Sequence, residues 1–237
     1  MKKLRLDKFL GDSLVGSRAD VKKYIYWNRI KVNGKIIKDP GFKVDPERDE
    51  ISYKDEKVLY EPFRYYILNK PSGYVTAIKD KDHPTVMELL KDVNTKDLFP
   101  VGRLDKDTEG LLLITNDGKL SHDLLSPKKH VEKSYIALSD RKLSPEDIKK
   151  IESGIDIGDD KPCLPAKISY LGEEKTTEKE GELYSYELTI REGRYHQVKR
   201  MFKALGGEVI KLKRISFGRL KLGDDLKPGE YRKITWK

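Results

Sequence analysis

The amino-acid sequence predicts an α+β protein with a small N-terminal domain and a larger C-terminal domain. The chain has 237 residues, enough for one sizeable domain and one small one. Apolar residues recur along the whole length, in some segments with helical spacing and in others with alternating spacing. The charged stretch from Asp55 to Pro62 has the composition of a linker. We therefore expect domains at residues 1–59 and 60–237.

In the N-terminal domain we expect two short helices followed by a hairpin. The apolar residues of Leu6–Leu10 have helical spacing, and Ser17 can cap a second helix with apolar residues at i, i+3 and i+4. Ile30–Val32 alternates as a strand does, and the Asn33-Gly34 pair after it is a strong hairpin turn.

Strands and helices alternate in the C-terminal domain. Each predicted strand is a short apolar or alternating run, and helix starts are marked by capping residues or proline. The charged run from Glu173 to Glu182 is expected to be an exposed hairpin loop. The predicted strands are Tyr65–Leu68, Leu111–Ile114 and Ser185–Ile190, and the predicted helices begin at Thr85 and Ser144 and span Val198–Leu205.

Composition limits the functional classes. Lys and Arg total 49 against 40 Asp and Glu, and this net charge of +9 suits a polyanionic partner. One cysteine, Cys163, excludes an internal disulfide or a cysteine-rich zinc site, and the four histidines lack metal-ligand spacing. We therefore expect no metal and no cofactor. No apolar run approaches the ~20 residues of a membrane span, and the basic start lacks an apolar signal region. We expect a cytoplasmic protein without a membrane partner.

The most informative segment is a glycine-bounded acidic loop that leads into an apolar strand. It begins Gly102-Arg103-Leu104-Asp105 and continues to the Thr-Asn-Asp-Gly that ends at Gly118. A surface turn with solvated acids is one interpretation of such a loop. A calcium loop is another, but its twelfth position requires a bidentate Glu and is Asn116 here. The third interpretation places Asp105 at a catalytic site on a loop held by a rigid strand.

The pattern G-R-L-D-x-x-T-x-G-L-L-L-x-T-N-D-G resembles the motif of the pseudouridine synthases that modify ribosomal RNA. The resemblance implies an enzyme that isomerises uridine, with Asp105 as its nucleophile. It also implies a catalytic domain with a bent mixed β-sheet flanked by helices. Arg103, beside the nucleophile, is expected to fill the space left when the uridine is extruded from folded RNA.

A second pattern, E-G-R-x-x-Q-V-K-R-M, resembles another motif of the same family. The resemblance places the basic partner of the catalytic aspartate at Lys199, where Arg is common in relatives. Lys lacks the bidentate fork of Arg, so Arg194 is an alternative partner. The other interpretation of these cations is a solvated basic helix face.

The family resemblance further assigns an active-site tyrosine to Tyr135, although a lone tyrosine in a strand is usually a packing residue. It identifies Lys70-Pro71-Ser72-Gly73 as structural support for the site. The apolar wall of the site is assigned to Leu212 or Ile215, with Ile190 as an alternative.

The N-terminal segments Arg5–Leu10, Ser17-Arg18 and Ile30–Lys35 together resemble the RNA-binding domain of ribosomal protein S-four. The resemblance implies that Arg5, Arg18 and Lys22 contact RNA. Arg18 and Lys22 share a helix face, and a solvated basic face is the alternative.

Taken together, the sequence favours a synthase of the RsuA type, which modifies small-subunit ribosomal RNA. The expected partner is ribosomal RNA or a ribosomal precursor particle, and the expected state is a monomer. The alternatives are a large-subunit ribosomal RNA synthase and an inactive RNA-binding assembly factor.

Overall fold

The protein divides into two compact units in a computed structural model that describes residues 3–174 and 182–236. The N-terminal unit is Met1–Phe63 and the C-terminal unit is Arg64–Lys237. The division lies slightly beyond the expected position because the Tyr60 ring stacks on Phe9 at 5.0 Å and its hydroxyl donates to Asp12 at 3.2 Å. Most of the predicted loop Glu173–Glu182, at positions 175–181, lies outside the described residues.

The N-terminal unit contains both predicted helices, α1 (Leu6–Asp12) and α2 (Arg18–Tyr26). Ser17 caps α2 by accepting from the amide of Asp20, whose carboxylate accepts from the amide of Ser17. The predicted hairpin turn is also confirmed, since Asn33 and Gly34 have φ of 50° and 76°. The strands are β1 (Leu4–Arg5), β2 (Ile30–Val32), β3 (Lys35–Ile36), β4 (Lys43–Val44), β5 (Ile51–Tyr53) and β6 (Glu56–Lys57).

The C-terminal unit is built on one mixed sheet. Its strands are β7 (Tyr65–Lys70), β8 (Phe99–Pro100), β9 (Glu109–Thr115), β10 (Lys133–Ser139), β11 (Lys167–Glu174), β12 (Leu183–Ile190), β13 (Val209–Phe217), β14 (Leu220–Lys221) and β15 (Tyr231–Ile234). Its α-helices are α3 (Gly118–Leu125), α4 (Pro145–Ser153) and α5 (Gln197–Ala204).

Within the described residues, the main order of this sheet is β11-β12-β10-β13-β9-β7-β15. Neighbouring strands are antiparallel except for β9 and β13, which pair in parallel. Helices and an otherwise antiparallel sheet confirm the predicted α+β class with a mixed sheet.

Strand β9 shows why the sequence has an unbroken apolar run before Thr115. Leu112 and Ile114 join an apolar core that includes residues of α4 and α5, whereas Leu111 and Leu113 join a second core with α3. Alternate side chains of a strand point to opposite faces. A central strand covered on both faces therefore needs apolar residues at every position.

One predicted helix is shorter than a capping box suggests. Thr85 and Glu88 form the box, but only a 3₁₀ turn follows, over Val86–Leu89. Leu90 has ψ of 61°, outside the helical range, and its side chain is buried in the core. Burial of Leu90 thus ends the helix after one turn. In the described part of the chain, no helix is long and apolar enough to cross a membrane.

Candidate active site

Asp105 lies on the loop between β8 and β9, and its side chain is 29% exposed. The loop is held on both sides of this residue. Thr76 Oγ1 donates to the carbonyl of Leu104 at 2.7 Å and accepts from the amide of Leu104 at 3.1 Å. The amide of Thr108 donates to the carbonyl of Asp105 at 3.1 Å. The backbone at Asp105 is therefore fixed by its neighbours while the carboxylate stays accessible.

Lys70, at the end of β7, braces the same loop from inside. Its side chain is fully buried, and its ammonium donates to the carbonyls of Pro71, Lys106 and Thr108 at 3.1, 3.0 and 2.7 Å. Burial lowers the pKa of Lys70 to about 8, although the carboxylates around it, first that of Asp107, oppose the change. This contact gives a physical reason for the predicted supporting role of Lys70-Pro71-Ser72-Gly73.

Gly110 lets β9 approach β13 closely enough to place the loop. It has φ of +100°, and a Cβ built on it would lie 2.2 Å from the carbonyl oxygen of Arg214. Gly110 and Arg214 are partners in the parallel pairing of the two strands. Only glycine fits both requirements, so the motif glycine positions the loop that precedes it.

Helix α5 brings a cation to Asp105. The Lys199 ammonium lies 3.4 Å from Asp105 Oδ2 and 2.6 and 2.8 Å from the two carboxylate oxygens of Asp107. Burial raises the pKa of Asp107, but the hydrogen bond and charge of Lys199 outweigh it, so the pKa stays below its usual value. Lys199 thus bridges two acids of one loop and is closer to Asp107 than to Asp105.

A second residue from this segment also reaches the aspartate. His196 precedes α5 with φ of 48°, and its Nε2 lies 3.4 Å from Asp105 Oδ1. Its ring stacks on the exposed ring of Tyr195 at 3.8 Å. His196 and Lys199 therefore approach different oxygens of the same carboxylate.

Arg194, the alternative partner of Asp105, is engaged elsewhere. Its guanidinium donates to the carboxylates of Glu192 and Asp159 and to the carbonyls of Lys161 and Pro162. These contacts join the segment before α5 to the loop at 159–162. Arg194 lines the cleft near Asp105 but forms no ion pair with it among the described residues.

Asp105 opens into a cleft of about 680 Å³, within the range typical of sites for small molecules or single nucleotides. Tyr135 on β10 is 8% exposed and lines this cleft, as does the exposed side chain of Arg103. Ile190 and Leu212 line a narrower pocket that adjoins it and shares Asp105 and Tyr135. The structure thus brings Asp105, Tyr135, Lys199 and Arg103 together, with two of the three apolar residues named from sequence.

Arg5, Arg18 and Lys22 lie in the N-terminal unit, and all three are exposed. Arg5 forms an ion pair with Asp7 at 2.8 Å. Arg18 and Lys22 lie one turn apart on α2, as their spacing predicts.

Sequence reasoning missed two residues at the site. Asp107 shares Lys199 with Asp105, and His196 contacts Asp105 directly. His196 has no metal-ligand spacing to the other histidines. Its contact with Asp105, 91 positions earlier in the chain, leaves no local pattern in the sequence. The only sequence signal was its place inside the E-G-R-Y-H-Q motif.

A family model described as RNA pseudouridylate synthase matches residues 64–204, which contain Asp105, Tyr135, His196 and Lys199. The chain belongs to that family. A second family model, the S4 domain, matches residues 4–51 in the N-terminal unit. The predicted family, the isomerase class and the N-terminal RNA-binding domain are therefore confirmed.

Similar proteins extend over nearly the whole chain. An uncharacterized RNA pseudouridine synthase of Bacillus subtilis is 46% identical over 98% of this chain and 95% of its own length. The ribosomal small subunit pseudouridine synthase A of Yersinia pestis is 40% identical over 98% and 95%. A crystal structure of a pseudouridylate synthase matches with a TM-score of 0.66 and 38% identity, covering 98% of this chain and 96% of that one.

Proposed function

We propose that this chain isomerises a uridine of small-subunit ribosomal RNA, with Asp105 as the nucleophile. The observation that carries the proposal is a cleft lined by Asp105 and Tyr135 from two separate elements, with Lys199 of a third element paired to Asp105. The small-subunit substrate is supported by the relative of that name in Yersinia pestis, which is similar along both units.

The reaction needs little beyond these groups. The bond from the ribose to nitrogen 1 of uracil breaks, the base turns, and carbon 5 bonds to the ribose while its proton is lost and nitrogen 1 gains one. The Asp105 carboxylate either attacks the ribose or removes a proton from it. No electron is transferred to an acceptor, so we propose a reaction without metal or cofactor.

The other residues bind and orient. Lys199 and His196 hold the two oxygens of Asp105 so that the carboxylate faces the cleft. Tyr135 offers a ring on which an extruded base can stack and a hydroxyl that can exchange a proton. Arg103 is free to fill the space vacated in the RNA. Arg194 shapes the cleft wall through its contacts with Glu192 and the 159–162 loop.

Mapping pseudouridine in ribosomal RNA tests the substrate. We expect the purified protein to modify one uridine of small-subunit RNA, as a naked transcript or in a precursor particle, and Asp105→Asn to modify none. Modification confined to large-subunit RNA would indicate the alternative function, a large-subunit ribosomal RNA synthase. If neither RNA is modified while both are bound, the protein is an assembly factor.

The N-terminal unit is proposed to bind the RNA through Arg5, Arg18 and Lys22. Changing all three to Gln in the full chain should reduce the salt dependence of RNA binding by about two log units per log of salt, at roughly 0.7 per phosphate contact. An unchanged slope would assign these cations to a solvated face. We further propose that the protein acts as a cytoplasmic monomer.

A further inference from the structure

Two buried cations line the cleft beside Tyr135. Lys133 on β10 and Arg214 on β13 are 9% and 3% exposed, and both line the cleft that contains Asp105. The Lys133 ammonium lies 5.4 Å from the centre of the Phe217 ring, and the Arg214 guanidinium carbon lies 4.9 Å from it. Two positive charges therefore meet at one aromatic ring.

The protein satisfies only some of the hydrogen-bond donors of this pair. Arg214 Nε donates to the carbonyl of Leu111 at 2.8 Å, but Nη2 is shielded from solvent and has no partner among the described residues. Lys133 Nζ donates to the carbonyl of Val131 at 2.8 Å. Because a guanidinium has five donors and an ammonium three, both cations keep donors for a ligand.

The charge of the pair is also uncompensated. Neither Lys133 nor Arg214 forms an ion pair in the part of the chain that the structure describes. Glu192 acts on Lys133 through space, but its carboxylate accepts hydrogen bonds from Arg194 and Gln197. Burial, and then the charge of Arg214, lowers the pKa of Lys133. Since buried unpaired charge is unfavourable, an anion that enters here is bound favourably.

We propose that Lys133 and Arg214 form a subsite for one phosphate group of the RNA backbone next to the uridine that enters the cleft. This inference rests on the proposed function, because its occupant is an RNA. A phosphodiester supplies a full negative charge and acceptors for both cations, whereas a base carbonyl supplies only a dipole.

The strand register places this subsite beside the expected position of the base. Tyr135 follows Lys133 by two residues, so both side chains lie on one face of β10. Tyr135 is also the partner of Arg214 in the antiparallel pairing of β10 and β13. A phosphate bound by the two cations would fix the RNA backbone while the uracil base contacts Tyr135.

The test removes the negative charge of single RNA phosphates and, separately, the positive charge of the protein side chains. The substrate is a small-subunit RNA stem-loop that carries the mapped uridine, with single uncharged methylphosphonates at each phosphate around it. The proteins are the wild type, Lys133→Gln, Lys133→Arg and Arg214→Lys. Lys149→Gln on α4 is the matched control, because it removes an exposed charge that does not line the cleft. Both Kd and KM are measured, and melting temperatures verify the fold.

We expect one methylphosphonate position to raise the Kd and KM of the wild type about tenfold, the effect of one charge-assisted hydrogen bond. Lys133→Gln should raise the Kd and KM on unmodified RNA and show a smaller further rise with that methylphosphonate, because only Arg214 then contacts the phosphate. Lys133→Arg should regain the sensitivity, and Lys149→Gln should behave as the wild type. If Arg214→Lys has a lowered melting temperature, the comparison of Lys133→Gln with Lys133→Arg decides the outcome.

The proposal is overturned if Lys133→Gln keeps the wild-type Kd and the same sensitivity at every phosphate. It is also overturned if Lys133→Gln lowers kcat alone, because Lys133 would then support the strand rather than bind RNA. A wild type that binds the RNA without isomerising it contradicts the proposed function. The Kd series still decides the subsite in that case.

Discussion

Two groups of cations near Asp105 differ in the acids that lie beside them. Lys199 lies against the carboxylates of Asp105 and Asp107, and all three side chains remain partly exposed. Lys133 and Arg214 are almost fully buried and have no acid partner in the described residues. The first, which we call the acid-paired group, holds the carboxylate that we propose as the nucleophile. The second, the unpaired group, is suited to an incoming anion. The same residue types thus have different electrostatic surroundings, according to the acids that the fold places beside them.

The change with the largest expected effect removes the Asp105 carboxylate from the acid-paired group. Asp105→Asn is nearly isosteric, so the fold and most of the RNA affinity should persist while isomerisation is abolished. Single-turnover assays with protein free of wild-type enzyme measure this directly. Turnover at a measurable rate would mean that Asp105 is not the nucleophile.

Gly110→Ala should disturb both groups at once, because Gly110 lies where β9 meets the backbone of Arg214. The added Cβ would overlap the Arg214 carbonyl and require positive φ, which costs at least about 2 kcal/mol of stability. A fall in melting temperature of several degrees is expected. Gly118→Ala, where a Cβ meets nothing within 4 Å, is the control. Equal melting temperatures for the two variants would contradict this account of Gly110.

Lys199→Met removes the cation from the acid-paired group and leaves the unpaired group unchanged. We expect kcat to fall about 10- to 100-fold, since Asp105 loses the charge that orients it, with little change in RNA affinity. Lys199→Arg should recover most of the rate. If instead KM rises and kcat is kept, Lys199 binds RNA as Lys133 is proposed to do, and the contrast between the two groups is lost.

The hydrogen bonds of Lys70 to the Asp105 loop predict a smaller, pH-dependent effect on activity. The pKa of Lys70 is about 8, so its ammonium becomes a neutral amine above that pH. The amine has two hydrogens for three carbonyl acceptors, and the Asp105 loop should loosen. We expect activity to fall by a few-fold between pH 7 and 9.

Unfolding does not explain that fall. The pKa of Lys70 in the folded protein lies below its ordinary value of 10.5, so the unfolded chain binds this proton more tightly. The contribution of Lys70 to stability therefore increases from pH 8 to 10.5. The pKa values of Tyr60 and Tyr65, raised to about 12 mainly by burial, reduce stability only above pH 10. A melting temperature that falls together with activity near pH 8 would contradict the role of Lys70.

Much of the fold and part of the site could be predicted from local sequence. Ser17 and Ser144 cap their helices as predicted, because capping depends on residues three positions apart. The apolar run at Leu111–Ile114 predicted a buried strand correctly, since burial on both faces leaves no alternation. The resemblance at Gly102–Gly118 pointed to Asp105 because the loop and its strand are continuous in the chain.

The tertiary structure alone decided which charges are paired. The sequence left Lys199 as the expected partner and Arg194 as the alternative. The fold placed Lys199 between Asp105 and Asp107, while Glu192 and Asp159 engage Arg194. It also buried Lys133 and Arg214 without an acid. Capping, turns and strand burial depend on neighbours in the chain, and the sequence determines them directly. Ion pairing between residues about 90 positions apart depends on strand order and register, which only the folded sheet establishes.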